Sequence, residues 1–95
     1  MRKIQSFKDE NTETIYNGLF SKSFLSEIQS VALRKLIMID NSDTLNDLRI
    51  PPGNHLEALS GNRIGQYSIR INDKYRICFR EVNNYYIDVE IVDYH

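Results

Sequence analysis

The chain of 95 residues has one cysteine, no tryptophan, two prolines and four glycines. A single cysteine, Cys78, cannot form an internal disulfide, which fits a reducing compartment. The longest uninterrupted apolar run is LIMI at residues 36–39, far short of the roughly 20 residues that a membrane span needs. The opening MRKIQSFKDE lacks the apolar centre of a secretory signal, so a cytoplasmic protein without membrane association is expected. There is no glycine-rich phosphate loop, no G-x-S-x-G elbow, no H-E-x-x-H pair and no Cys/His spacing suited to zinc. No metal and no cofactor are expected. Repeats, low-complexity tracts and linkers are also missing, so residues 1–95 are expected to form a single domain with one core.

What is present is an ordinary globular composition, 41% apolar and 11% aromatic, with six tyrosines. Net charge is −1, which by itself argues against a nucleic-acid partner. The distribution is uneven, however. Residues 49–80 carry Arg49, Arg63, Arg70, Lys74, Arg76 and Arg80 against only Glu57 and Asp73. Residues 81–95 carry Glu81, Asp88, Glu90 and Asp93 with no lysine or arginine. Arginine matches phosphate with its planar fork. A cationic strand beside an anionic one is also how a solvated sheet face balances its charge.

Periodicity divides the chain in two. KIQSF at residues 3–7 is a weak first strand. DENTETIYNG at 9–18 reads as a short helix with acids in its first turn, Asp9 or Asn11 as its cap and Gly18 closing it. In residues 23–40, Phe24, Ile28, Ala32, Leu36 and Ile39 recur at helical spacing, flanked by Leu25, Val31 and Leu33. Ser23 or Ser26 can cap this helix, and TLNDLRI can add a turn before Pro51 and Pro52 force an extended chain. Beyond residue 53 the period becomes two. NHLEAL, QYSIRI, YRICFR and YIDVEIV read as strands joined by Asn72-Asp73 and Asn83-Asn84 turns. The expected fold is α+β, with an N-terminal strand and two helices packed on one face of an antiparallel β-meander.

Register follows from parity. The apolar residues of the last three strands carry odd numbers, and antiparallel partners share a face. A three-residue loop at 72–74 pairs Ile71 with Tyr75 and Ile69 with Ile77, and sets Arg70 opposite Arg76. The same reasoning pairs Phe79 with Ile87 and Arg76 with Glu90 unless a bulge intervenes, leaving Tyr86, Asp88 and Glu90 on the polar face. Facing arginines repel unless an anion lies between them, and either Glu90 or a phosphate can serve.

The chemistry-bearing residues form a cluster rather than a motif. They are Arg70 and Arg76 on the polar face, Asp93, Tyr94 and His95 beyond the last apolar run, and His55 and Glu57 on the entering strand. Metal-independent RNA cleavage needs such a set: a base for the 2′-hydroxyl, cations for the phosphorane, and an acid for the departing 5′-oxygen. A lone histidine at the end of a sequence is more commonly a solvated side chain. Cys78 lies between two arginines that would lower its pKa, although a strand cysteine is more commonly a packing residue.

The run RIPPGNHLEALSGNRIGQYSIRINDKYRICF, the closing VDYH, and the IQSF and ALRKL segments together resemble the HigB-type toxins of type II toxin–antitoxin systems, within the RelE/ParE superfamily. The resemblance implies a microbial-RNase-like fold and a metal-independent toxin that cleaves mRNA in the A site of translating ribosomes. It also implies a HigA-type helix-turn-helix antitoxin, with operator DNA contacted only through that antitoxin. Residue by residue, it assigns catalytic roles to Arg76, Asp93, Tyr94 and His95. Two positions depart: Glu57 stands where some members carry histidine, and Ser60 where a basic residue is usual. Glu57 is read as a replacement base, with Arg63, Arg70, Arg80 and His55 holding RNA. The alternatives are a ParE-like toxin that poisons DNA gyrase without cleaving RNA, and a degenerate toxin serving as antitoxin partner and co-repressor.

Overall fold

The computed structural model describes residues 2–24 and 26–93. Leu25 of the expected apolar stripe, and Tyr94 and His95 of the expected site, lie outside the described residues. Two α-helices, α1 (Glu10–Tyr16) and α2 (Ser26–Asn41), precede four strands, β1 (Glu57–Ala58), β2 (Tyr67–Arg70), β3 (Tyr75–Val82) and β4 (Tyr85–Asp93). The strands make one antiparallel sheet in the order β1-β2-β3-β4. The protein is therefore α+β.

Helix α1 starts at Asp9 and stops where Gly18 adopts φ +80°. There the Gly18 and Leu19 amides donate back to the Ile15 and Thr14 carbonyls, satisfying groups that a helix end leaves orphaned. In α2, Ile28, Ala32, Leu36 and Ile39 are buried in one cluster with Ile69, Ile77, Phe79, Tyr86, Val89 and Ile91 of the sheet. Burial of these side chains, at about 1.5–3 kcal/mol for each of the larger aliphatic ones, is the main force holding the helix to the sheet. Phe24, Val31 and Leu33 pack partly buried at its margin.

The KIQSF segment is not a regular strand but lies parallel to β4 through two isolated bridges, Ile4 with Tyr86 and Phe7 with Val89. Asp40 anchors its start, accepting the Lys3 and Ile4 amides at 2.7 and 2.9 Å and the Tyr16 hydroxyl at 2.5 Å. Pro51 is extended, but Pro52–Asn54 form a 3-10 turn that ends with His55 at φ +44°. That left-handed residue interrupts NHLEAL, so only Glu57 and Ala58 pair as a strand.

The β2–β3 register agrees with parity: Ile69 faces Ile77, Arg70 faces Arg76, and Ile71 donates to the Tyr75 carbonyl at 2.9 Å. The β3–β4 register does not. Asn83 and Asn84, at φ +53° and +67°, form a two-residue turn that pairs Val82 with Tyr85 and Arg80 with Ile87. A bulge then places Asp88 and Val89 opposite Phe79 and restores the even-sum register, with Cys78 on Glu90 and Arg76 on Val92. Asp88 carries the positive φ of +53°, and its amide donates to the Ser6 hydroxyl at 2.9 Å. Consequently Tyr86, expected outside, is fully buried, Ile87 is not, and Arg76 does not pair with Glu90.

Candidate active site

Glu57, Ser68, Arg70, Arg76, Cys78, Glu90 and Val92 share the sheet face opposite the helices, as their cross-strand partners require. Arg76 is its centre and is only 8% exposed. Its Nε donates to Ser68 Oγ at 2.7 Å, and Nη2 donates to the His55 carbonyl at 2.5 Å and more weakly to the Ser68 carbonyl at 3.4 Å. Glu57 Oε1 lies 3.9 Å from the same Nη2, at the outer limit of an ion pair, and Glu57 is exposed. Neutral oxygens thus orient the guanidinium, whose planar fork is suited to a phosphate.

The facing pair Arg70 and Arg76 is resolved by divergence. Arg70 turns to Asp73 in an ion pair within the β2–β3 turn, while Arg76 leans across Ser68 toward β1. Glu90 bridges neither of them. It faces Cys78 and accepts from Arg63 at 3.2 Å, with Lys8 Nζ 3.6 Å away. The expected Arg–Glu–Arg ladder is therefore replaced by an Arg63–Glu90–Lys8 cluster, which ties the 61–66 loop to the sheet.

The other predicted residues are spread around this centre. The His55 carbonyl, rather than its imidazole, makes the contact to Arg76, and the residue is exposed at the left-handed end of a turn, not on a strand. Arg80 extends beneath Gly65, where a Cβ would fall 2.8 Å from its Nη1, and its Nε lies 3.9 Å from Asp88. Asp93 faces Tyr75 on the helix-side parity, with Lys74 Nζ 3.7 Å from its carboxylate. Its side chain thus starts from the face opposite that of Arg76. Ser68 was missed as a site residue. The available signal was its polar-face parity between the strands of Glu57 and Arg76.

Cys78 is a packing residue, as a strand cysteine more commonly is, and despite its flanking arginines its pKa is not lowered. It is fully buried, and burial pushes its thiol up to about 11; Glu90 adds to the rise, and Arg63 and Arg76 only partly oppose it. The unfolded chain loses this proton first, so this group makes native stability fall as pH rises between about 9 and about 11. Iodoacetamide at neutral pH is accordingly expected to leave Cys78 intact in folded protein and to alkylate it in denaturant. Rapid labelling of the native protein would refute the inert thiol.

A family model described as "RelE-like toxin of type II toxin-antitoxin system HigB" matches residues 5–95. The chain belongs to this family. Toxin HigB-1 of Vibrio cholerae is 40% identical over 87 residues, covering 86% of this chain and 92% of the relative. An uncharacterized protein of Haemophilus influenzae is 41% identical over 91 residues, covering 90% of each chain. As a HigB-like toxin the protein implies a cognate antitoxin. Among the described residues of this HigB-like toxin, no helix is long and apolar enough to cross a membrane.

Proposed function

We propose that this HigB-like toxin is a ribosome-dependent, metal-independent mRNA endonuclease, neutralised by a HigA-type helix-turn-helix antitoxin. The observation that carries the reading is Arg76, a cation fixed by Ser68 and the His55 carbonyl with the Glu57 carboxylate beside it. In this reading a microbial-RNase-like domain enters the ribosomal A site. A base removes the proton of a 2′-hydroxyl, whose oxygen attacks the adjacent phosphorus. The bond to the 5′-oxygen breaks, the leaving oxygen takes a proton from the acid, and a 2′,3′-cyclic phosphate remains.

Arg76 stabilises the charge that gathers on the phosphorane. Glu57 is the candidate base, and its exposure leaves it accessible to substrate. His95, assisted by Asp93 and Tyr94, is the candidate acid, since histidine titrates near neutrality. Val92 pairs with Arg76, so the end of β4 runs beside the arginine's strand. Arg63, Arg70, Arg80 and His55 are the candidate RNA contacts around this centre. Arg63, Arg70 and Arg80 each have a carboxylate neighbour, Glu90, Asp73 and Asp88 respectively, which RNA phosphate would have to displace.

Toeprinting of mRNA on translating ribosomes tests the reading. Added toxin is expected to give new 3′ ends within the A-site codon, resistant to chelators. A version lacking residues 94 and 95 is expected to cleave about 100-fold more slowly, the usual scale of one acid–base group. It should still fold, because the β3–β4 ladder extends to Asp93. Intact mRNA together with inhibited DNA gyrase would instead identify a ParE-like poison.

A further inference from the structure

Lys35 on α2 is buried on a core helix, where a leucine or methionine would sit at lower cost. No carboxylate pairs with it among the described residues. Its Nζ instead donates to Asn54 Oδ1 at 2.5 Å. Asn54 is itself fully buried, and its amide nitrogen donates to the Leu48 carbonyl at 3.1 Å and contacts Met38 Sδ at 3.1 Å. The two ends of one side chain thus join α2 to the turn that precedes Pro51.

Asn54 is also the residue before His55. Its amide closes the turn by donating to the Pro51 carbonyl at 3.0 Å. His55 then adopts φ +44° and ψ +57°, a conformation that non-glycine residues hold only when their surroundings determine it. This conformation carries the His55 carbonyl that accepts from Arg76. A continuous set of contacts therefore runs from Lys35 through Asn54 and the His55 backbone to the Arg76 guanidinium.

We infer that Lys35 and Asn54 are positioning residues for Arg76: they hold the His55 turn so that its carbonyl fixes the guanidinium in one orientation. Burial, and the nearby Arg34 and Arg70, push the Lys35 ammonium below its ordinary range. The inference rests on the proposed role of Arg76, but the arginine's orientation can be read without any cleavage assay.

The test is proton exchange of the Arg76 guanidinium by NMR in full-length toxin, wild type against Lys35→Met. Methionine keeps the length and apolar stem while removing the donor. Arg76 guanidinium exchange is expected to rise about tenfold, with the β2 and β3 backbone amides keeping their protection. On ribosomes, kcat is expected to fall about tenfold with KM within about twofold, the pattern of a mispositioned group. Should Lys35→Met not fold, Asn54→Ser withdraws the amide from Lys35 and is expected to give the same reading. Unchanged Arg76 exchange in a folded variant would overturn the inference. If wild-type toxin cleaves nothing, the endonuclease reading fails, and the exchange result still decides the positioning role.

Discussion

Arg76→Ala is expected to reduce ribosome-dependent mRNA cleavage by about 1,000-fold, the upper range for removing one preorganised stabiliser of transition-state charge. The size follows from how the side chain is held. Arg76 is almost fully buried, and its donors are engaged by Ser68 Oγ and the His55 carbonyl, so little reorganisation is needed when charge develops on phosphate. Arg76→Lys keeps the charge but concentrates its donors at one atom, which cannot span both acceptors. It is expected to recover about tenfold of the lost rate and no more. Arg76→Ala leaves two acceptors short of a donor and Arg76→Lys leaves one, at about 1–3 kcal/mol each. That is less than the 5–15 kcal/mol or so that holds a typical domain together. Toeprinting alongside a urea melt separates lost chemistry from lost fold. A folded Arg76→Ala protein that cleaves at the wild-type rate would remove Arg76 from the mechanism.

The sequence was legible where one periodicity acted alone. The α2 stripe is set by 3.6-residue spacing: of its expected members Ile28, Ala32, Leu36 and Ile39 are buried, whereas Phe24 precedes the helix and is only partly buried. The β2–β3 register, including the Arg70–Arg76 pair, follows from parity because its three-residue loop contains no irregularity. Parity failed in β4 because a bulge adds one residue, and no composition marks an aspartate that will adopt positive φ. At the candidate site, Arg76 and Glu57 were chosen by residue type and position and lie 3.9 Å apart, and the backbone supplied contacts that residue types could not show. The His55 imidazole drew attention, whereas its carbonyl makes the contact. Ser68, Asn54 and Lys35 are ordinary in one dimension, and their roles arise from pairings across 8 to 21 residues of chain. Arginine lowers the pKa of a neighbouring thiol only where both remain solvated enough for the thiolate to exist, and Cys78 is too deeply buried for that.

Tyr86→Ala is expected to cost about 3–5 kcal/mol, the range for truncating a large aromatic in a close-packed core. Tyr86 is fully buried, and its ring meets Phe79 edge-on with centroids 5.2 Å apart. Its hydroxyl lies 2.7 Å from Ser42 Oγ, so Tyr86→Phe alone is expected to cost about 1 kcal/mol. The loss in Tyr86→Ala would leave a domain of this size near the edge of folding at 37 °C or so. The informative comparison is Ile87→Ala. Strict alternation along β4 would bury Ile87 and expose Tyr86, making the isoleucine the costly position. The Asp88 bulge reverses that order, and Ile87→Ala is expected to cost less than about 1 kcal/mol. Urea denaturation of the two alanine variants therefore reads the register directly. A greater loss at Ile87 than at Tyr86 would move the bulge and shift Glu90 back toward Arg76. The order expected here keeps Val92 paired with Arg76, so that β4 ends beside the strand that carries the arginine on which the proposed chemistry depends.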